Sequence, residues 1–299
     1  MKTRKPAVPH PVPGPPADDE LGAHVSTEGG IWNAPARARA IGAACLQLFT
    51  KQPGRWAEPI VSPEAAARFR EERAGHSVRV AGAHDSYLIN LSSRDPALWK
   101  RSLACLRAEL ERCAALGLDF LVTHPGNATD GDVPAGLVRN ARGISEALEA
   151  VDGGPRLLLE LTAGAGTSVG GSFEHLARIL EAVPSRLRDR IGVCVDTCHA
   201  WAAGYDLRDD YAGVWQAFDR VLGRESLGLI HLNDSRHPKG SRRDRHETLG
   251  EGTLGPRPFR CIVQDPELAG VPKILETPKG DDPIAADRAN LAFLRSFRR

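Results

Sequence analysis

The sequence predicts one α/β domain, a (β/α)8 or TIM barrel in which eight parallel strands alternate with helices and the active site lies at the C-terminal mouth. Three observations predict this fold. The 299 residues can bury one large core, eight short apolar runs follow residue 20, and longer segments with helical periodicity separate those runs. A doubly wound open sheet is the alternative, but no G-x-G-x-x-G motif follows the first apolar run.

Each apolar run is short and shows no alternation of apolar and polar residues, which is typical of parallel strands that are buried on both faces. We therefore interpret the runs as the barrel strands. The predicted strands are Leu21–Val25, Cys45–Phe49, Val78–His84, Leu118–His124, Arg156–Leu161, Ile191–Asp196, Ser226–Leu232 and Val271–Glu276.

The segments between the runs have helical periodicity, and several begin at a proline or behind a Ser or Asp that can cap a helix. The Gly- and Arg-rich segment Arg236–Gly255 after the seventh run leaves the helix that follows it poorly defined. The predicted helices are Pro63–Ala74, Pro96–Leu116, Pro134–Val151, Ser172–Val183, Asp209–Leu222 and Asp282–Phe297.

The segment before the barrel, residues 1–20, is rich in proline and has almost nothing to bury. This composition predicts a disordered tail, so the barrel domain is expected at residues 21–299. No apolar run approaches the length of about 20 residues that a membrane span needs, and no apolar signal-peptide core follows the basic first residues. We therefore expect a cytoplasmic protein that does not bind membranes.

The composition is that of an ordinary soluble protein, with 41% apolar and 26% charged residues. A net charge of +1 predicts no strong overall attraction to nucleic acid, so any such contact requires a local basic surface. The six cysteines are scattered and form no CxxC pair, which indicates reduced thiols in a reducing compartment.

Six consecutive predicted strands, the third to the eighth, end at or near a histidine or a carboxylate. In a barrel these strand ends converge on one mouth, where active sites of this fold lie. His199 follows the sixth strand, and Asp244 and His246 lie in the loop after the seventh. The residues at the strand ends are His84, His124, Glu160, Asp196, His231 and Glu276.

These nine side chains are the donor types that zinc and similar divalent ions favour. Nine donors are too many for one tetrahedral ion, but they suit two or three ions if one carboxylate bridges a pair. Any one of them alone has an ordinary alternative. A single histidine at a strand end is more often a hydrogen-bonded structural residue, and Asp196 could cap the helical turn that follows it. Their conjunction at one mouth indicates a metal centre.

Ten short strings, spread in order over the chain after residue 20, resemble the endonuclease IV family of metal-dependent abasic-site endonucleases. The most specific are DTCH with AAGYD, HLNDS and DRH. The strings are GAHVS (22–26), LFTK (48–51), HDSYLINL (84–91), THPG (123–126), LELTAGAG (159–166), FEHL (173–176), GVCVDTCHAWAAGYD (192–206), HLNDS (231–235), DRHETLGEG (244–252) and LETP (275–278).

The resemblance implies a trinuclear zinc centre, with Mn²⁺ as an alternative at some positions. One ion is expected at His84, His124 and Glu160. A second is expected at Glu160, as the catalytic bridge, with Asp196, His231 and Glu276. The third is expected at His199, Asp244 and His246. The implied reaction belongs to base excision repair. It is hydrolysis of the phosphodiester 5′ to an abasic site in double-stranded DNA, which leaves a 3′-hydroxyl and a 5′-deoxyribose phosphate, and the resemblance also suggests a monomer.

The resemblance also implies contacts with DNA. Tyr87 and Leu88 lie on the loop that wedges into the duplex in this family, and an aromatic–apolar pair can fill a vacated stack, although such a pair could also simply pack at the barrel rim. Arg55 adjoins the position where the family carries an intercalating Arg and this chain has Gly54. The basic segment 236–245 is expected to contact phosphates. Its predicted contact residues are Arg236, Arg242, Arg243 and Arg245.

The chain departs from the family's pattern at two further residues, and two rival functions stay open for it. Leu161 and Ala165 stand where the family usually has Asn and Gln, so the support of Glu160 is expected to differ. A sugar or sugar-phosphate isomerase on the same kind of barrel would need fewer metals and neither a wedge loop nor a basic rim. A non-catalytic zinc or DNA-binding protein would have a closed site of four ligands.

Overall fold

The computed structural model describes residues 19–298, and in it eight parallel strands close into a barrel. Neighbouring strands follow one another around the ring, and β1 pairs with both β2 and β8, which completes the closure. The strands are β1 Leu21–His24, β2 Cys45–Phe49, β3 Val80–His84, β4 Phe120–Thr123, β5 Arg156–Glu160, β6 Ile191–Asp196, β7 Leu227–Leu232 and β8 Lys273–Leu275.

The helices pack around the outside of this ring. Several begin behind a Ser or Asp whose side chain accepts a bond from a first-turn N–H, as at Ser62, Asp95 and Ser172. The α-helices of the described residues are α1 Ala34–Ile41, α2 Pro63–Gly75, α3 Pro96–Leu116, α4 Val133–Ala150, α5 Phe173–Ala182, α6 Thr197–Ala203, α7 Tyr211–Leu222, α8 Pro256–Gln264 and α9 Pro283–Ser296.

The prediction of a TIM barrel is confirmed, and each predicted strand differs from the observed one by at most two residues at either end. The predicted helices are present, but α1, α6 and α8 were not predicted. All three are short, and α6 begins directly after a strand, so no turn signal separates the two elements. Asp196 Oδ1 accepts a bond from His199 N (2.8 Å) and caps α6, so the alternative named for Asp196 in the sequence is present, and its other oxygen remains for the mouth.

The barrel interior is layered because side chains on one strand face the same side every second residue. An apolar floor lies two residues before the strand-end donors and fills the barrel below them. Gly82 takes part in this floor because a Cβ there would lie 2.2 Å from the Phe120 ring. The floor residues of the other strands are Cys45, Val122, Leu158, Cys194, Leu229 and Ile274. Polar groups at the mouth therefore rest on a dry, packed layer.

The bottom of the barrel is closed by a buried ion-pair cluster. Asp19 and Glu20, assigned above to the tail, are buried there because α9 and its C-terminal extension supply Arg295 and Arg298 as partners. Glu20 Oε1 also accepts a bond from the buried Lys273 Nζ (3.0 Å). The rest of the predicted tail, residues 1–18, lies outside the described residues.

Two further features concern the chain as a whole. All six cysteines are free, and five of them are buried. Within residues 19–298, none of the helices combines the length and the apolar content that crossing a bilayer requires. The hydrophobic core instead lies between the strands and the surrounding helices, with Phe69, Phe173, Phe218 and Phe259 fully buried in it.

We expect Asp19→Ala to lower the free energy of unfolding by about 2–3 kcal/mol. The substitution removes a fully buried carboxylate, so the guanidinium groups of Arg295 and Arg298 lose their ion pairs with Asp19. Denaturant unfolding measures the change. Asp152→Ala, at an exposed loop position, is the control and should stay within about 0.5 kcal/mol of the parent. Equal stabilities of the two variants would contradict the structural role of the cluster.

Candidate metal centre

The barrel mouth brings together all nine donors that the sequence analysis singled out. They form three groups, and the ligand atoms within each group lie within 4.8 Å of one another. The first group is His84, His124 and Glu160, the second is Glu160, Asp196, His231 and Glu276, and the third is His199, Asp244 and His246. We call the third set the outer group because Asp244 is half exposed.

Glu160 lies at the centre of the site and is almost fully buried. Its Oε2 is 3.2 Å from His84 Nε2 and 3.0 Å from His124 Nε2, whereas Oε1 is 3.1 Å from His231 Nδ1 and 3.2 Å from His199 Nδ1. One carboxylate therefore faces donors of all three groups. This is the arrangement expected of a bridging ligand.

Asp196 connects the second group to the outer group, and Asp244 joins the two histidines of the outer group. Asp196 Oδ2 is 3.9 Å from His231 Nδ1 and 3.7 Å from His246 Nε2. Asp244 reaches His199 Nε2 with Oδ2 (3.2 Å) and His246 Nε2 with Oδ1 (3.3 Å). Because Asp196 Oδ1 is used to cap α6, only its second oxygen faces the site.

The histidine rings are held in the manner of metal ligands. In such sites one ring nitrogen binds the ion while the other bonds a carbonyl or carboxylate that fixes the ring. Here His199 Nε2 and His246 Nε2 are buried and face the site, where each lies 3.2–3.3 Å from a carboxylate oxygen of Asp244. The opposite nitrogens bond main-chain carbonyls, His84 Nδ1 to Asp85 O (3.0 Å), His199 Nδ1 to Leu161 O (2.9 Å) and His246 Nδ1 to Glu276 O (3.1 Å). The residues therefore fit a cluster of divalent ions.

The carboxylates and imidazoles of the site shift one another's pKa values toward their charged forms. Burial favours neutral imidazole, but the hydrogen bond and charge of Glu160 raise the pKa of His84 to about 10. Burial likewise opposes the charge of His246, yet Asp196 and Asp244 raise its pKa to about 9. Burial raises the pKa of Glu160, and the charges of the surrounding imidazoles outweigh it and hold that pKa well below its usual range. Glu160 is thus ionised at neutral pH, and cation binding at His84 and His246 has to displace imidazolium protons.

Three polar residues of the site were missed by the sequence analysis. Gln47 is buried on β2, where Oε1 lies 2.9 Å from His231 Nε2 and Nε2 donates to Glu276 Oε1 (2.6 Å). Asn233, just after β7, donates to Asp196 Oδ2 (2.6 Å). His24 ends β1 and lies 3.4 Å from Glu276 Oε1. A polar residue within the apolar run CLQLF was the available signal for Gln47.

Two cysteines also lie within ligand distance of the site. Cys194 approaches Glu160 and His231, and Cys198 approaches Asp196 and His246. Burial raises the pKa of Cys198 to about 12 and the pKa of Cys194 well above its usual value. Since the thiolate is the form that binds metals, neutral thiols at these positions are poor ligands.

The departure at Leu161 leaves the orientation of His199 intact. Leu161 is fully buried, and the group that holds the His199 ring is its main-chain carbonyl, which any side chain would supply. Ala165 is exposed in the loop between β5 and α5. The expected difference at these positions therefore concerns side-chain contacts alone.

The predicted wedge residues lie at the same mouth. The Tyr87 side chain is 62% exposed, and its ring centroid is 5.6 Å from that of His84 and 5.5 Å from that of Phe49. Leu88 is half-buried, and Arg55 is exposed on the loop after β2. Ser86 Oγ donates to Pro53 O (2.6 Å), so the loops that carry Tyr87 and Arg55 are joined by a hydrogen bond.

The predicted phosphate contacts lie on the loop between β7 and α8. We call residues 236–245 the basic loop, and its Arg and Lys side chains are exposed. Arg236 Nε pairs with Glu247 Oε2 (3.0 Å), and Arg245 donates to the Asp244 carbonyl (2.7 Å). Within residues 19–298, Arg242 and Arg243 form no ion pair. They are therefore available to an anionic ligand beside the outer group.

Comparisons with known proteins agree with this site. The family described as "Xylose isomerase-like TIM barrel" matches residues 35–297. A protein of Chloroflexus aggregans named "Probable endonuclease 4" is 47% identical over 282 residues, which cover 93% of this chain and 98% of that protein. A protein of the same name from Trichlorobacter lovleyi is 45% identical, with 93% and 99% covered.

Solved structures extend the comparison. The crystal structure of endonuclease IV from Thermus thermophilus matches with a TM-score of 0.84 and 37% identity, covering 94% of this chain and 99% of that one. A D-tagatose 3-epimerase-like protein matches with a TM-score of 0.70 and 18% identity, covering 93% and 97%. The second likeness concerns the fold alone.

We expect Gln47→Leu to weaken metal binding about 10- to 100-fold, because residues that orient ligands contribute affinity on this scale and Gln47 contacts both His231 and Glu276. Competition with a coloured chelator measures the affinity. Gln216→Leu, on the exposed surface of α7, is the control and should bind metal as the parent does. Equal affinities of the two variants would remove Gln47 from the centre.

Proposed function

The chain belongs to the endonuclease IV family, and we propose that it is a metal-dependent nuclease of DNA repair that cleaves the phosphodiester 5′ to an abasic site in duplex DNA. The observation that carries the proposal is the convergence of nine donors in three groups around the buried Glu160. The relatives named endonuclease 4, which match over nearly their whole length, support the same activity. The products are a 3′-hydroxyl and a 5′-deoxyribose phosphate.

The donor set supports a centre of three zinc ions, with Mn²⁺ as an alternative. His84, His124 and Glu160 would hold one ion, and the second and outer groups would hold the other two, with Glu160 available to both of the first two groups. Bound there, the ions supply Lewis acidity toward the phosphate, a nucleophile at neutral pH and relief of charge on the departing oxygen. The first and outer groups offer three donors each, so they lack the four-residue closure of a structural zinc site.

The chain's own residues hold this chemistry in place. The surrounding imidazoles keep Glu160 ionised against the effect of burial, as the depressed pKa of its carboxyl indicates. Gln47 and Asn233 fix the second group by bonds to Glu276 and Asp196. The apolar floor beneath them excludes water from below, and a low dielectric strengthens every charge interaction at the site. Preorganisation of this kind means that little rearrangement is needed when a phosphate arrives.

Selectivity for abasic DNA rests on the loops at the mouth. Extruding a nucleotide from a duplex costs a few kcal/mol, and it costs least where base pairing and stacking are already lost. Tyr87 and Leu88 are placed to enter the vacated stack, with Arg55 on the adjoining loop. The exposed arginines of the basic loop contact the backbone phosphates. The protein is proposed to act as a monomer on DNA in the cytoplasm.

A sugar isomerase is the second candidate because such enzymes share the barrel. The likeness to an epimerase-like structure at 18% identity reflects that shared fold. The half-exposed outer group beside exposed arginines favours a large polyanion over a sugar. Metal stoichiometry separates the two, since about three ions per chain favour the nuclease and two favour the isomerase.

We expect the protein to nick a synthetic duplex that carries one abasic site, and a chelator to abolish nicking until zinc is added back. Glu160→Gln should lower the turnover at least about 100-fold, because a neutral amide cannot bridge two cations. Gel electrophoresis of the labelled strand measures the products. Glu174→Gln, at an exposed position of α5, is the control. Near-parental turnover of the Glu160 variant would refute its placement at the centre.

The basic loop predicts the salt dependence of DNA binding. Replacing both Arg242 and Arg243 by Gln should reduce the slope of log K against log salt by about 2, because each phosphate contact contributes about 0.9. Fluorescence anisotropy of a labelled abasic duplex at several salt concentrations gives the slope. The control replaces Arg178 and Arg220, which lie on the outer faces of α5 and α7, and should retain the parental slope.

A further inference from the structure

The short helix α6 connects the metal centre to the basic loop. Its N-terminal end carries two donors of the centre, Asp196 as the N-cap and His199 in the first turn. Its C-terminal end holds the loop, where Gly240 N donates to Trp201 O (3.0 Å) and Arg242 N donates to Ala202 O (2.9 Å). The last carbonyls of a helix have no partners within it, so the C-terminal carbonyls of α6 can accept hydrogen bonds from the main chain of the basic loop.

The Trp201 side chain adds two hydrogen bonds to these main-chain bonds. The side chain is buried, with only 2% exposed, and its indole Nε1 donates to Thr253 Oγ1 (2.9 Å) and to His237 O (3.2 Å). Thr253 Oγ1 in turn donates to Ser235 O (3.1 Å). One buried N–H thus joins the entry of the basic loop to the chain that follows its exit. On the ring face, Lys239 Nζ lies 5.9 Å from the centroid.

The conformation of the loop depends on these contacts. The ten residues 236–245 carry five Arg and Lys side chains, whose mutual repulsion opposes a compact arrangement. Arg242 has φ of 55°, in the left-handed region that residues other than glycine rarely adopt. Such strain persists only where surrounding contacts impose it. The bonds to α6 and to Trp201 are among these contacts, together with the bond from Arg236 N to Arg245 O (3.0 Å) and the pairing of Ser235 with His246.

The loop also carries Asp244 and leads directly into His246, and these are two of the three donors of the outer group. The first and second groups, by contrast, draw their donors from the barrel strands and the residues directly after them. We propose that Trp201 is a positioning residue for the outer metal site, because its indole N–H holds the basic loop in the arrangement that places Asp244 and His246 opposite His199. The inference rests on the proposed function, since it concerns one ion of that centre.

Trp201→Phe tests the proposal, because it removes the N–H and keeps an aromatic ring. Trp215→Phe is the matched control. Trp215 is also buried, lies on α7 between Tyr211 and Phe218, and has an arginine guanidinium 5.1 Å from its ring, as Trp201 does. Two readouts are independent of activity. The first is the rate at which trypsin cuts within the basic loop of the chelator-treated full-length protein, with the cuts assigned by mass spectrometry. The second is the number of metal ions per chain after loading and gel filtration.

We expect trypsin to cut the basic loop of Trp201→Phe about fivefold faster than that of the parent, which corresponds to about 1 kcal/mol and matches the loss of one hydrogen-bonding group. The loaded variant should hold about one ion fewer per chain, since two of three outer donors are displaced while the strand-borne donors stay. Trp215→Phe should match the parent in both measurements. Cutting no faster than in Trp215→Phe, or faster cutting with unchanged metal content, would overturn the proposal.

Thr253→Val provides a second variant in case Trp201→Phe does not fold. It removes the hydroxyl that accepts the indole bond and preserves the shape of the side chain. It should raise the cutting rate and lower the metal content in the same direction, and parental values in both would also overturn the proposal. A parent chain that binds no metal would contradict the proposed function. The trypsin rates would then still decide whether Trp201 holds the loop.

Discussion

The mouth of this barrel depends on one electrostatic constraint, which is that a buried carboxylate cannot remain charged without cations around it. Glu160 is almost completely removed from solvent and is charged. Four imidazole nitrogens lie 3.0–3.2 Å from its oxygens. Isolated burial of such a charge would cost several kcal/mol. The protonated His84 supplies positive charge beside it, and divalent ions would supply more, so the same arrangement serves folding and ion binding.

The period of the strands explains how the chain satisfies this constraint. Residues two apart face the same side, so each strand that carries a donor at its end places an apolar residue directly beneath it. Leu158 lies below Glu160 and Leu229 below His231 in this way. The stability of the floor and the chemistry of the mouth are therefore encoded in the same short segments. The main-chain bonds that fix His84, His199 and His246 add orientation that does not depend on neighbouring side chains.

Much of this could be predicted from the sequence, because strand ends and donor residues are both local features. The eight strands were located closely, and the nine donors converge as expected. Gln47, Asn233 and His24 were not found, since a buried amide or imidazole gains its meaning only from partners that are distant in the chain, such as Glu276, 229 residues from Gln47. The helix α6 was missed because it continues directly from a strand, and its link to the basic loop spans contacts that no periodicity reveals.

The packed floor also affects how metal ions enter and leave the site. Phe120, Val122 and Leu158 fill the interior below the donors, so the barrel formed by residues 19–298 is packed beneath them. Ions can enter and depart only through the face at which a duplex would dock. A bound duplex would therefore cover this face. The cluster would then be inaccessible to metal-binding proteins and small chelators for as long as the enzyme stays bound to its substrate.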